Sequence, residues 1–222
     1  MSHAIDQSFS EAALRLDTIR AVLAFLNSTD VKQAPRTEVA WASQKAVVYV
    51  WLAACIEDFV KRFLRLLLQD ISIQNLKCQQ VRVELLAIAG GSVFDRLQDL
   101  RQLKKWRERV AVLKQVVDIQ DAILPEAHLP LDGRTIQPEH LDVVWLVFGF
   151  PHGPFPGPVQ KMALLDVSRG RNQVAHGEIK PEDLGRSKTI TDLQRLVSHM
   201  EDLVQHVYMC GLEYLGSSGF LR

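Results

Sequence analysis

The sequence predicts an all-α protein, an antiparallel bundle of helices with one long irregular connection. Apolar residues recur at helical spacing over most of the chain, and strand-like alternation is confined to one ambiguous stretch. Glycine, proline and small polar residues break the chain between the apolar segments. The longest apolar run, residues 46–56, falls short of the about 20 residues that cross a bilayer, and therefore indicates a buried helix.

The first two helices are predicted from capping signals and apolar stripes. Ser8 with Glu11 forms a capping box, so the first helix is expected to begin near Ser8 and to end near residues 27–30. The second helix is expected over about residues 39–69, after a loop. It is apolar almost all round in its first half and striped in its second, a pattern typical of the central helix of a bundle.

The middle of the chain gives a weaker pattern. Residues 71–89 fit either a strand or a short helix, and two glycines follow them. A third long helix is expected from Ser92 towards Pro125, with apolar residues at helical spacing and a basic outer face. That face, residues 96–109, either follows an RNA backbone or is an ordinary solvated helix face, which its interspersed acidic residues favour.

The last third is expected to hold two more long helices behind an irregular connection. Residues 125–158 are rich in proline and glycine, with one apolar run that fits a short helix over residues 141–150. The next helix opens near Pro158, and Gly177 is well placed as its C′ residue. The final helix, from Thr191 to Gly216, carries one clean apolar stripe. Short loops and single stripes favour antiparallel packing.

Composition and charge restrict the class of protein. The chain has 222 residues, 47% of them apolar, and is expected to form one domain over residues 1–222. Lys plus Arg and Asp plus Glu are each 26, so no overall field attracts nucleic acid or an anionic membrane, and RNA must bind to a local patch. Three separated cysteines indicate core residues in a reducing compartment. The start lacks a secretory signal, so a cytoplasmic location without membrane attachment is expected.

Seven residues from Arg171 to Gly177, Arg-Asn-Gln-Val-Ala-His-Gly, carry the most specific chemistry in the chain. Arginine binds phosphate and histidine transfers protons near neutral pH, so the two together can cut RNA without a metal. On one helix, Arg171 and His176 are separated by about 7.5 Å of rise and roughly 140° of rotation, so they do not converge on one atom. A two-fold dimer would bring two of each into one cleft.

A purely structural interpretation of these residues is also open. Arg171 then bridges a carboxylate such as Asp166 or Glu178, and His176 caps carbonyl groups at the end of its helix. Glu57, isolated in an apolar run, contacts the motif from a facing helix, forms an interhelical salt bridge or is simply exposed. No metal-ligand spacing, glycine-rich phosphate loop or serine triad stands out, so no metal or cofactor is expected.

The motif, at the end of a helix that precedes the last helix of an all-α domain, resembles the signature of the HEPN superfamily. Together with Glu57 in its apolar run and the segment Phe-Gly-Phe at residues 148–150, it resembles the RiboL-PSP type of HEPN domain. The chain departs from this pattern directly before the motif. There Gly170 is expected to bend the helix and move Arg171, and Arg169 offers a second arginine for the same role.

The resemblance implies a homodimeric, metal-independent endoribonuclease whose 2′-hydroxyl attack leaves a 2′,3′-cyclic phosphate and a 5′-hydroxyl. It implies that His176 is the general acid or base, that Arg171 holds the scissile phosphate and that Asn172 orients the site, with Glu57 and Asp166 as possible supports. Such proteins act in toxin-antitoxin and antiviral systems, which implies RNA and an antitoxin or other defence protein as partners. The competing interpretation is a non-catalytic HEPN module that binds a partner protein or a nucleotide.

Overall fold

The computed structural model describes residues 2–28, 35–92, 94–95, 102–117, 121–131, 133 and 135–222. These residues form eight α-helices and one 3₁₀ turn, and they contain no β-sheet. The all-α prediction is confirmed. The helices are α1 (Ser2–Ser28), α2 (Pro35–Ser72), α3 (Leu86–Ala89), α4 (Gln102–Val117), α5 (Pro138–Phe148), α6 (Pro158–Ala175), α7 (Pro181–Arg186) and α8 (Ile190–Gly216), and the 3₁₀ turn is Glu126–His128.

Four long helices, α1, α2, α6 and α8, form the bundle. α1 runs antiparallel to both α2 and α8, and α6 runs antiparallel to α8, so α2 and α6 are also antiparallel. The contacts that set these directions are Arg15 with Asp58, Leu26 with Trp41, Asp6 with Tyr208, Arg20 with Glu201, Gln160 with Asp202, and Asp166 with Lys188. The arrangement agrees with the antiparallel bundle expected from the short loops.

The centre of the bundle is α2, as predicted. It packs against α1, α6, α7 and α8, and it supplies large buried side chains such as Tyr49, Phe59 and Phe63. Each fully buried side chain of this kind stabilises the fold by roughly 1.5–3 kcal/mol. The three cysteines are buried and form no disulfide, which fits their interpretation as core residues.

The apolar character of α2 also meets the length and composition of a membrane span. Within the described chain this holds for one helix, Thr37–Ser72, and 50% of its apolar window is buried inside the protein. The core helix of a bundle passes the same test, because both need a long run of apolar residues.

The first helix begins earlier than the capping box indicated. α1 starts at Ser2, and Ser8 lies buried in its interior with no hydrogen-bond partner for its hydroxyl among the described residues. Glu11 binds Gln7 and Arg62 instead of capping. Ile5 explains the difference, because its buried side chain extends the apolar stripe by one more turn.

The middle of the chain departs most from the expected bundle. Residues 73–85 are irregular, and the ambiguity of residues 71–89 resolves into the short helix α3. α4 forms where a third long helix was expected. Ser92, the expected start of that helix, is helical, but residues 96–101 between it and α4 lie outside the described residues. Two described residues of the predicted stripe are exposed, Val110 at 48% and Leu113 at 66%, so this part of the helix does not bury them in the core.

The irregular connection before α6 is packed rather than loose. α5 forms close to the apolar run that predicted it, and it ends at Gly149, whose φ of 65° places it in the left-handed region that favours glycine. The rings of Phe148 and Phe150 pack against Tyr214 of α8. These contacts hold the connection against the bundle just before the chain enters α6.

Replacing Gly185 tests the packing of α7 on α2. A Cβ atom there would lie 1.7 Å from the carbonyl oxygen of Ala42, and backbone of a buried helix cannot withdraw as a flexible side chain can. Gly185→Ala is expected to lower the free energy of unfolding by about 1–3 kcal/mol or more. Gly216→Ala has no neighbour within 4 Å and is the control, expected to be neutral or to stabilise by up to about 1 kcal/mol. Urea unfolding measures both, and equal losses would contradict this packing.

Candidate functional site

The motif occupies the end of α6, which runs without a break from Pro158 to Ala175. Gly177, at a φ of +70°, ends the helix. Its N–H donates to the carbonyl of Val174 at 3.2 Å, and the N–H of Glu178 donates to the carbonyl of Gln173 at 2.9 Å. This is the Schellman arrangement, and it confirms the predicted C′ role of Gly177.

α6 continues through Gly170 without a break. Gly170 is buried where α6 approaches α2, and a Cβ atom at this position would lie 2.4 Å from a ring carbon of Tyr49. The glycine therefore allows the two helices to pack closely, a role for Gly170 that the sequence did not indicate.

A short chain of hydrogen bonds holds Arg171. Its Nη1 donates to Oδ1 of Asn172 at 3.1 Å, and the buried hydroxyl of Thr135 donates to the same oxygen at 3.3 Å. Arg171 and Asn172 are both half-buried. The other N–H groups of the Arg171 guanidinium make no hydrogen bond to residues that the structure describes, so they face outward as donors for an anion.

His176 is exposed at the C-cap of α6, directly after Ala175. Its backbone N–H donates to the carbonyl of Asn172 at 2.9 Å, and its ring makes no hydrogen bond or ion pair within the described part of the chain. The same part of the chain holds no salt bridge between Arg171 and either Asp166 or Glu178. Among the described residues, neither of the structural contacts considered for these two side chains is present.

The two supporting carboxylates lie elsewhere. Asp166 accepts hydrogen bonds from Nζ of Lys188 at 3.1 Å and from the hydroxyl of Tyr49 at 3.2 Å, on a side of α6 roughly 140° from Arg171. Glu57 pairs with Lys61 of its own helix at 2.5 Å. Because α2 and α6 are antiparallel, Glu57 lies about 12 Å beyond Tyr49, away from the motif. The structure brings neither carboxylate to Arg171 or His176.

The polar cluster around Tyr49 has shifted ionisation. Burial, reinforced by the charge of Asp166, raises the pKa of Tyr49 to about 12. Burial lowers the pKa of Lys188, but its hydrogen bonds to Tyr49 and Asp166 outweigh that effect and raise it overall. Lys45 is buried behind Lys188 and donates a hydrogen bond to its backbone carbonyl, and burial lowers the pKa of Lys45. At neutral pH the phenol is uncharged and Lys188 is an ammonium group.

A groove of about 440 Å³ lies between α6 and α8, and we name it the α6/α8 groove. It has an apolar wall and a charged rim, which together include Val159, Met162, Ala163, Leu196, Asp166, Arg169, Lys188, Asp192, Arg195 and His199. Sequence reasoning missed this groove and also missed Thr135. Their residues come from separate elements, so no spacing within one segment signals them.

Comparisons of the chain with protein families, with curated proteins and with solved structures found no significant match. The resemblance to HEPN domains therefore rests on the motif and on its place in the helical chain. Among the described residues, no group of three or more His, Cys, Asp or Glu side chains is placed to hold a metal ion.

The three tyrosines should ionise later in the native protein than in the denatured chain. Burial raises the pKa of Tyr49 and Tyr214, and the hydrogen bond to Asp6 raises the pKa of Tyr208. A raised native pKa means that their contribution to stability is complete below about pH 10 and is lost as the pH rises through the native pKa. Phenolate absorbance, titrated with and without urea, measures the delay. Tyr49→Phe should remove one of the tyrosines that ionise at raised pH. Native and denatured titration curves that coincide would contradict the raised pKa values of the tyrosines.

Proposed function

We propose that the protein is a metal-independent endoribonuclease of the HEPN type that acts as a homodimer. One observation carries the proposal, the state of the two motif side chains at the end of α6. Arg171 is oriented by Asn172 and Thr135 but keeps donors free, and the ring of His176 is exposed and unengaged within the described chain. Among the described residues, neither side chain forms a salt bridge or donates a hydrogen bond to another helix, which favours a role in binding or chemistry.

The geometry of one chain favours a composite site. About 7.5 Å of helical rise and roughly 140° of rotation separate Arg171 from His176, so one protomer does not place both on a single phosphate. A two-fold axis through the helix ends would set the arginine of one copy beside the histidine of the other. The formal net charge of zero means that two copies do not repel each other as wholes.

The proposed reaction needs no group beyond those of the paired motifs. One histidine accepts the proton of the 2′-hydroxyl as its oxygen bonds to phosphorus. The bond from phosphorus to the 5′-oxygen breaks, and the second histidine donates a proton to that oxygen. The products are a 2′,3′-cyclic phosphate and a 5′-hydroxyl. Arg171 stabilises the charge that develops on the phosphate oxygens, and Asn172 keeps the guanidinium in place.

The biological setting belongs to the same proposal. A toxin or antiviral role, an antitoxin or other defence protein as partner, and a cytoplasmic location follow from the sequence and its resemblance alone. The role, the partner and the location therefore stay predictions.

Cleavage of a mixed-sequence RNA by the purified protein in EDTA tests the proposal. His176→Ala is expected to lower the rate by about 10²–10⁴, since it removes a general acid or base. Arg171→Ala is expected to lower it by about 10²–10³, since it removes the donor that stabilises the developing charge. Thr135→Val, which releases Asn172, should act in the same direction more weakly. End-group analysis should find cyclic phosphates.

Matched controls are available in exposed positions far from the motif. His3→Ala on α1 and Arg107→Ala on α4 remove the same side chains elsewhere and should leave the rate unchanged. A folded, dimeric wild-type protein that cleaves no RNA would contradict the enzyme and favour the non-catalytic module. Cleavage that survives in His176→Ala would contradict the assigned site.

A further inference from the structure

Two arginines in the α6/α8 groove are exposed and unpaired. Arg169 of α6 and Arg195 of α8 both line the groove, and neither makes a hydrogen bond or salt bridge with residues described by the structure. Lys188 lines the same groove, and the buried Lys45 donates a hydrogen bond to its backbone carbonyl. On a protein without net charge, this is a local concentration of positive charge.

The carboxylates of the groove are already engaged. Asp166 accepts from Lys188 and from Tyr49. Asp192 accepts from the hydroxyl of Thr189 at 2.6 Å and from its backbone N–H at 3.0 Å, as the capping box of α8, and these bonds lower the pKa of Asp192. Neither carboxylate forms a salt bridge with the two arginines, so their guanidinium groups are available to an anionic ligand.

The rest of the groove suits a ligand that is partly apolar. Met162 and Val159, 61% and 52% exposed, form an open apolar wall beside the cations. The Nδ1 atom of His199 is buried without a hydrogen-bond partner in the described chain, since the Asp202 carboxylate lies 4.0 Å away. Single-stranded nucleic acid binds to surfaces of this kind, because the cationic edge contacts its phosphates and the apolar surface contacts a base.

The groove leads towards the motif. Residues 162, 166, 169, 173 and 176 recur at spacings of three and four, so they share one side of α6. Arg169 therefore lies about 10 Å before His176 on the same side of the helix. A single strand of nucleic acid that leaves the groove along α6 would reach the exposed ring of His176.

We propose that the α6/α8 groove is a subsite for single-stranded RNA, in which Arg169 and Arg195 bind phosphates next to the one that is cleaved. The identity of the ligand rests on the proposed ribonuclease function. Arg169 then acts as a binding residue beside the site, and Arg171 keeps the scissile phosphate. Met162 and Val159 contact a base.

Binding of a short single-stranded RNA to His176→Ala protein, measured by fluorescence anisotropy over a range of salt, tests the subsite without cleavage. In that background, Arg169→Gln with Arg195→Gln is expected to weaken binding about tenfold or more, and two lost phosphate contacts should lower the salt slope by about 1.4. The control pair, Arg65→Gln on α2 with Lys114→Gln on α4, removes the same charge from other exposed surfaces. It should change the affinity less than about twofold, since it removes no proposed phosphate contact.

The outcomes separate this inference from the proposed function. Unchanged binding in the groove variant, equal loss in both pairs, or no binding by His176→Ala protein would overturn the subsite. If cleavage depends on His176 but the groove variant binds RNA normally, the ribonuclease proposal is supported and the subsite is rejected. If the wild-type protein binds RNA through the groove but never cleaves it, the ribonuclease proposal is rejected and the subsite is supported.

Discussion

The close approach of α2 and α6, with the ring of Tyr49 against Gly170, is the constraint on which the candidate site depends. The hydroxyl of the same tyrosine reaches Asp166, which in turn binds Lys188. These contacts fix how α6 is rotated about its axis. That rotation turns Asn172 towards the buried Thr135, which donates to its side-chain oxygen, and leaves His176 exposed. A larger residue at position 170 would disturb packing and site together.

Much of the bundle was predictable from the sequence, because the periodicity of apolar residues directly reflects which face of a helix is buried. The exceptions have physical reasons. The capping signal at Ser8 does not mark the start of α1, because Ile5 continues the apolar stripe of that helix. Val110 and Leu113 of α4 are exposed although their spacing resembles that of a core helix. Periodicity shows that a helix has an apolar face but does not show what covers it.

The candidate site was predictable only where it lies within one segment. Arg171, Asn172 and His176 are neighbours in the chain, and Gly177 signalled the end of their helix. Thr135 holds Asn172 from an irregular segment 37 residues away, and Arg169 meets Arg195 only through the packing of α6 on α8. Such long-range contacts are set by the tertiary fold. The same limit applied to Asp166, whose partners are Lys188 and Tyr49, whereas Glu57 pairs with Lys61 one turn along its own helix.

The central claim is that the motifs of two copies form one site, and mixed dimers test it most directly. Wild-type and His176→Ala protein, co-refolded in varied proportions, would give mixed dimers that hold a single motif histidine. If both histidines are needed, the rate of RNA cleavage falls as the square of the wild-type fraction. A rate that falls in simple proportion to the wild-type fraction would show that one motif histidine is enough for cleavage, and would contradict the site in which the histidines of both copies act.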